Sequence, residues 1–209
     1  MITQSFLYNA IFFTYALVLI NFYHVPSNKV PLYGLAFSIG NLCGPLILGP
    51  LFDSWGRKQM IAGTYIASAV LLALSAVMFD AKVLNATTQT IMWVVVFFFA
   101  SAGASAAYLT VSETWPIEIR AEAIAVFFAI GSIAGAAGPA LYGALIGNGT
   151  SRTGLFVGYL IGAGIMLIGG LVEVFLGVQA AGKSLEQVTK PLTSTDQAIP
   201  VAPAASAAA

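Results

Sequence analysis

Asp53, Arg57, Lys58, Glu113 and Arg120 carry charge in a chain where charged residues make up only 8%. They occupy two short connections, Gly49-Pro-Leu-Phe-Asp53-Ser-Trp-Gly56-Arg57-Lys58 and Ser112-Glu113-Thr-Trp-Pro116-Ile-Glu118-Ile-Arg120. Carboxylates and guanidinium groups form the strong, charge-assisted hydrogen bonds of proteins. At the edge of an apolar phase such charges are costly unless paired. A network of Asp53, Arg57, Glu113 and Arg120 is the natural solution, and its making and breaking would hold or release the segments that carry it. Gly56 permits the tight reversal between Asp53 and Arg57, and Lys58 adds to the positive charge there. The alternative is that each charge is solvated in its own loop.

A second set of residues is suited to binding. Ser101, Ser105, Tyr108 and Ser112 fall at i, i+4, i+7 and i+11, which on a helix keeps them within about 60° of one another. Such a stripe lines a water-filled cavity and offers hydroxyls to a polyhydroxylated solute, or it marks a tight helix–helix contact. Near the start of the chain Gln4, Tyr8 and Tyr15 share a face, while Asn9 lies about 140° from Gln4. Both amides then reach one ligand only if that helix is locally broken. Gly131, Gly135 and Gly138 with Tyr142 form a stripe expected to serve close packing. Glu173 is expected to snorkel to the nearby aqueous edge rather than act as a proton-linked carboxylate.

Chemistry of other kinds is poorly supported. Gly103-Ala-Ser105-Ala is similar to the Gly-x-Ser-Gly of rhomboid intramembrane proteases, which need a histidine on the sixth span to take the serine proton. The one histidine is His24, expected at the far end of the first helix. A single cysteine, Cys43, allows neither an intrachain disulfide framework nor most metal-site patterns. No catalytic residue, metal or cofactor is expected. The formal net charge is zero, so nothing points to nucleic acid.

The segments that position these groups are apolar and long. Apolar residues are 59% of the chain and the mean hydropathy is +0.91, a composition that cannot supply the wetted surface of a soluble domain. Uncharged intervals precede Lys29 and then run from Lys29 to Asp53, Lys58 to Asp80, Lys82 to Glu113, Glu122 to Arg152 and Arg152 to Glu173. A helix crossing a bilayer needs about 20 apolar residues. These intervals predict helices near 4–24, 31–53, 59–80, 90–113, 121–147 and 155–177. Residues 91–100 show none of the alternation a barrel strand requires. The fold class is therefore an all-α membrane protein with six transmembrane helices. Met1 is not followed by a basic region, so the first segment is expected to remain as a span.

The basic residues divide into Arg57, Lys58, Arg120, Lys183 and Lys190 on one side and Lys29, Lys82 and Arg152 on the other. The positive-inside rule makes the first side cytoplasmic, with both termini inside. The expected location is a plasma membrane, bacterial inner membranes included, with the lipid bilayer as an obligate partner. Residues 191–209, rich in Ala, Pro, Ser and Thr, are expected to form a disordered cytoplasmic tail.

The six spans also repeat. Gly44-Pro45-(x)3-Gly49 recurs as Gly138-Pro139-(x)3-Gly143, 94 residues on (from 44 to 138), and the same offset carries Lys58 onto Arg152 and Tyr65 onto Tyr159. One domain, 1–190, is thus read as two three-helix inverted repeats, about 1–89 and 90–185.

The connection from Gly49 to Lys58 resembles the Gly-(x)3-Asp-(x)2-Gly-Arg-Arg/Lys loop of the major facilitator superfamily. Ser112-Glu113-(x)2-Pro116-(x)3-Arg120 resembles the signature after the tenth helix of its sugar-porter-type members. Gln4-(x)4-Asn9-Ala10-Ile11-Phe12 is similar to the Gln-(x)4-Asn-Ala-Val-Phe of their seventh helix, and Gly182-Lys183-Ser184-Leu185-Glu186 to the Gly-Arg-Ser-Leu-Glu after their twelfth. The resemblance covers about residues 4–190 and implies the carboxyl-terminal six-helix half of a major facilitator fold. It implies alternating-access transport of a small polar solute, with Gln4, Asn9, Ser105 and Tyr108 as substrate contacts and Asp53, Gly56, Arg57, Lys58, Glu113 and Arg120 as a cytoplasmic gate. An amino-terminal half or a second copy of the chain is the implied partner. Three departures concern the solute: the paired Gln is Thr3-Gln4, the Pro-Glu-Thr-Lys before the last motif is replaced at 178–181, and the tenth-helix tryptophan is Tyr108. Sugar, polyol and organic acid all stay open, beside the alternative of a non-transporting membrane assembly or regulatory subunit.

Overall fold

A computed structural model describes residues 1–147 and 152–178. Among the described residues the elements are six helices and no strand: α1 Ile2–Tyr23, α2 Val30–Ser54, α3 Arg57–Asp80, α4 Ala86–Thr114, α5 Arg120–Ile146 and α6 Arg152–Leu176. All six are long and apolar enough to cross a membrane. The motif at 182–186, Lys190 and the tail 191–209 lie outside the described residues.

Local chemistry sets the helix ends. α4 begins at Ala86 rather than near 90 because Asn85 and Thr88 form a capping box: Thr88 N–H donates to Asn85 Oδ1 at 2.9 Å and Asn85 N–H to Thr88 Oγ1 at 2.8 Å. Gly56 separates α2 from α3 with φ 98°, a left-handed conformation that only glycine adopts without strain. Pro116 stops α4, since it has no amide hydrogen to extend the helix. At the end of α3 the Phe79 carbonyl, which accepts from Lys82 N–H at 3.1 Å, also takes a 2.9 Å hydrogen bond from the Arg152 guanidinium. The same guanidinium lies 4.8 Å from the Phe79 ring centroid.

α1 packs chiefly on α5, α2 on α4, and α3 on both α6 and α4. The α3–α4 contact has no equal in its counterpart α6–α1, but exchanging α1–α3 with α4–α6 turns the α1–α5 contact into α4–α2 and leaves α3–α6 unchanged. The Gly-Pro pairs show why. A Cβ on Gly44 would collide with the Phe98 carbonyl oxygen of α4, and one on Gly138 would sit 2.6 Å from the Phe6 carbonyl oxygen of α1. Backbone meets backbone at both crossings, the close approach that small residues allow in membranes. Gly131 and Gly135 extend the α5 seam along Met1, Ser5 and Asn9.

The remaining core is aromatic. Phe37, Trp93 and Phe97 interlock α2 with α4, and Phe22, Phe79, Tyr159 and Tyr142 run across α1, α3, α6 and α5. At the Lys29 end a hydrogen-bonded chain, buried at Gln89 and Ser75, crosses three helices. Tyr23 Oη donates to Gln89 Oε1 at 3.1 Å, and Gln89 Nε2 donates to Ser75 Oγ at 3.0 Å. α2 and α5 keep many large apolar residues exposed, among them Leu35, Leu42, Leu46, Phe128 and Ile133.

Candidate functional site

The connections before α3 and after α4 come together at the end of the bundle opposite Lys29. Arg57, the first residue of α3, bonds the carboxylate of Glu113 in the last turn of α4. The Arg57 side chain is 14% exposed and that of Glu113 27%. Both therefore sit at a partly desolvated helix crossing, where a charge pair is worth more than in water. Asp53 lies 3.9 Å from Arg57 and is 78% exposed, which makes it a marginal partner. Lys58 is also engaged with a neighbour.

Arg120 departs from the expected network. Its guanidinium donates to the Trp115 carbonyl from Nε and Nη2, at 3.4 and 3.2 Å. The turn closed by Ile119 N–H on the Pro116 carbonyl places Arg120 directly behind the end of α4. An unsatisfied carbonyl there is a nearer acceptor than Glu113.

The four residues expected to touch solute line one cavity. Gln4, Ser5, Tyr8 and Asn9 of α1, Asn41 of α2, and Ser101, Ala104, Ser105 and Tyr108 of α4 surround about 320 Å³. No break in α1 is needed, contrary to the expectation. α1 is one helix, and Tyr8 and Ser5 fill the arc between Gln4 and Asn9, so a single cavity spans the 140° that separates the amides. Asn9 Nδ2 donates to the Ser5 carbonyl at 2.8 Å. Ser105 Oγ donates to the Ser101 carbonyl at 3.0 Å. Tyr108 is held by a near-parallel stack on Phe128 of α5, centroids 4.8 Å apart. Ser112 bonds the Leu109 carbonyl and does not line the cavity. Tyr15 packs on Phe37 of α2.

Asn41 went unnoticed in the sequence. Its Nδ2 donates to the Tyr8 hydroxyl, while its Oδ1 is buried with no partner, as is Oε1 of Gln4. A buried acceptor without a donor costs about 1–3 kcal/mol, so two such oxygens beside an open space favour a ligand that brings donors. The available signal was an amide in the middle of an apolar span, an expensive placement that marks function. Pro45 strengthens it, since proline has no amide hydrogen for the carbonyl four residues earlier, at Asn41.

A second space of about 210 Å³, lined by Phe52, Asp53, Arg57, Ala106 and Leu109, shares Ser105 with the first. Ser105 thus stands between the amide cluster and the Arg57 crossing. Among the described residues no cluster of His, Cys, Asp and Glu could hold a metal ion.

The structure thus holds six membrane-crossing helices and an amide-lined cavity, with an ion pair at one end of the bundle. We find no curated protein and no solved structure that matches the chain. A family model, that of the Major Facilitator Superfamily, matches residues 1–204. The chain belongs to the Major Facilitator Superfamily, a family of membrane transporters.

Proposed function

We propose that these six helices are the carboxyl-terminal half of a sugar-porter-like facilitator that moves a small, uncharged, polyhydroxylated solute by alternating access. The observation that carries this reading is the convergence of Gln4, Asn9, Asn41, Ser105 and Tyr108 on one cavity. Amides, hydroxyls and phenols line it, and no charged side chain does so among the described residues. A carboxylate would lose its hydration there without gaining a cation, which costs several kcal/mol. A polyol instead brings donors to the two unpaired oxygens and acceptors to the hydroxyls. Among the open solute classes, sugars and polyols are favoured over organic acids.

The purified chain in lipid nanodiscs, titrated with sugars, polyols and organic acids, is expected to bind an uncharged polyhydroxylated member. Gln4→Ala and Asn41→Ala should each weaken that binding about tenfold. An organic acid as the tightest ligand would overturn the solute class.

Alternating access requires two bodies that move against each other with the solute between them. Chain reconstituted alone in liposomes is therefore expected to give no saturable, stereoselective uptake, with an amino-terminal half as the proposed partner. Such uptake by the chain alone would instead favour a two-fold pair of this chain.

For orientation we adopt the Arg57 end as cytoplasmic. Cysteine at Asn28 should react with an impermeant thiol reagent on intact cells, and cysteine at Lys190 should not. Labelling at 190 alone would invert the topology.

A further inference from the structure

We propose that the protein carries a second ligand site, apart from the amide-lined cavity, that takes a lipophilic amine. Five helices (α1, α3, α4, α5 and α6) line a partly open space of about 510 Å³ at the Arg57 end of the bundle, within the range of small-molecule sites. Its walls are largely apolar, with Ile61, Phe127, Ile168 and Val172 among them.

Polar residues in the lining are Thr3, Tyr65, Thr110 and Glu173, and Tyr65 and Glu173 have had no role so far. The Tyr65 side chain is buried, at 4% exposure, and its hydroxyl has no hydrogen-bond partner. Among the described residues Glu173 is the only charged side chain in the lining. The two are near enough to interact electrostatically, yet the phenol makes no hydrogen bond to the carboxylate. Thr110 also lines the space, but its hydroxyl is committed to the Ala106 carbonyl at 2.8 Å. The lining therefore offers one anion and one unpaired phenol in an apolar chamber.

A protonated amine with an aryl or alkyl body matches each part. Its ammonium supplies donors to the carboxylate and the phenol oxygen. Its apolar body fills the chamber, and Phe127 presents an aromatic ring to it. Lys58 of α3 already neighbours Glu173. Lys58 is not part of the lining, so a cation is already accommodated beside the carboxylate from outside the space. An occupant would bridge α3 to α6 beside the Arg57–Glu113 crossing, and would oppose any separation of those helix ends.

The test compares 4-phenylbutylamine, 4-phenylbutanol and 4-phenylbutyrate, which share one body and differ in charge. Each is titrated calorimetrically into the full chain in phosphatidylcholine nanodiscs, with empty nanodiscs as the reference. We expect saturable binding of the amine at least tenfold tighter than that of the alcohol, and none of the carboxylate. Glu173→Gln should lower amine affinity at least tenfold and leave the alcohol within twofold. Tyr65→Phe should weaken both about threefold. Equal affinities for amine and alcohol on the unaltered chain would overturn the proposal without need of any variant. So would an amine affinity unchanged by Glu173→Gln, or uptake no greater than that of empty nanodiscs.

Discussion

Gly44→Ala and Gly138→Ala are each expected to destabilise the bundle by about 3 kcal/mol, the upper part of the range for overpacking a tight contact. Gly49→Ala and Gly143→Ala, the other ends of the same two motifs, should leave stability unchanged or raise it by up to about 1 kcal/mol. A Cβ on Gly44 or Gly138 meets backbone of the facing helix, which cannot swing aside as a side-chain tip can. At Gly49 and Gly143 nothing lies within 4 Å of the added atom, so the higher helix propensity of alanine acts alone. Unfolding by graded sodium dodecyl sulfate in mixed micelles, followed by tryptophan fluorescence, measures all four. A loss at Gly49 or Gly143 equal to that at Gly44 or Gly138 would show that the motif acts through something other than the two backbone crossings.

The second large effect concerns Arg57 and Glu113. A double-mutant cycle built from Arg57→Ala and Glu113→Ala should return a coupling of about 1–3 kcal/mol. That lies between the 0–1 kcal/mol of exposed pairs and the 3–5 kcal/mol lost when one member of a buried pair is removed. The intermediate value follows from the intermediate exposure of the two side chains, 14% and 27%. The parallel cycle with Asp53 should give no more than about 0.5 kcal/mol, because Asp53 is 78% exposed and 3.9 Å away. The reversed pair, Arg57→Glu with Glu113→Arg, should recover part of what each single reversal loses. Strictly additive losses would show that the two charges do not interact in the membrane.

The helices were legible because crossing a bilayer leaves a coarse signature: a run of apolar residues between charges. Their ends were less so. Asn85 and Thr88 are polar, and a reading that waits for apolar sequence passes over the capping box they form. Side-chain direction was the harder part. Arg57 and Arg120 both read as cations at one membrane edge, yet one meets a carboxylate and the other folds back on a backbone carbonyl that carries no mark in sequence. Gln4 and Asn9 appeared to need a broken helix because angular spacing describes one helix, whereas the width of a cavity is set by its neighbours. Asn41 enters the site only through the packing of α2 on α4, which a one-dimensional pattern does not contain.

The hydrogen-bonded chain Tyr23–Gln89–Ser75 ties α1, α4 and α3 at one end, Ser68 Oγ donates to the Val96 carbonyl of α4 at 3.4 Å midway, and at the other end Arg57 bonds Glu113. This makes α3 a lever with a fixed fulcrum. From Ser75 to Arg57 is 18 residues, an arm of about 27 Å at 1.5 Å per residue. A tilt of about 6° about the fulcrum carries the Arg57 end by roughly 3 Å, enough to part a hydrogen-bonded ion pair while barely straining the hydrogen bonds at Gln89. Rotations this small fall within the ordinary bending of packed helices. The far end can therefore part with little change at the near end, against the ion pair together with the packing of α3 on α4 and α6.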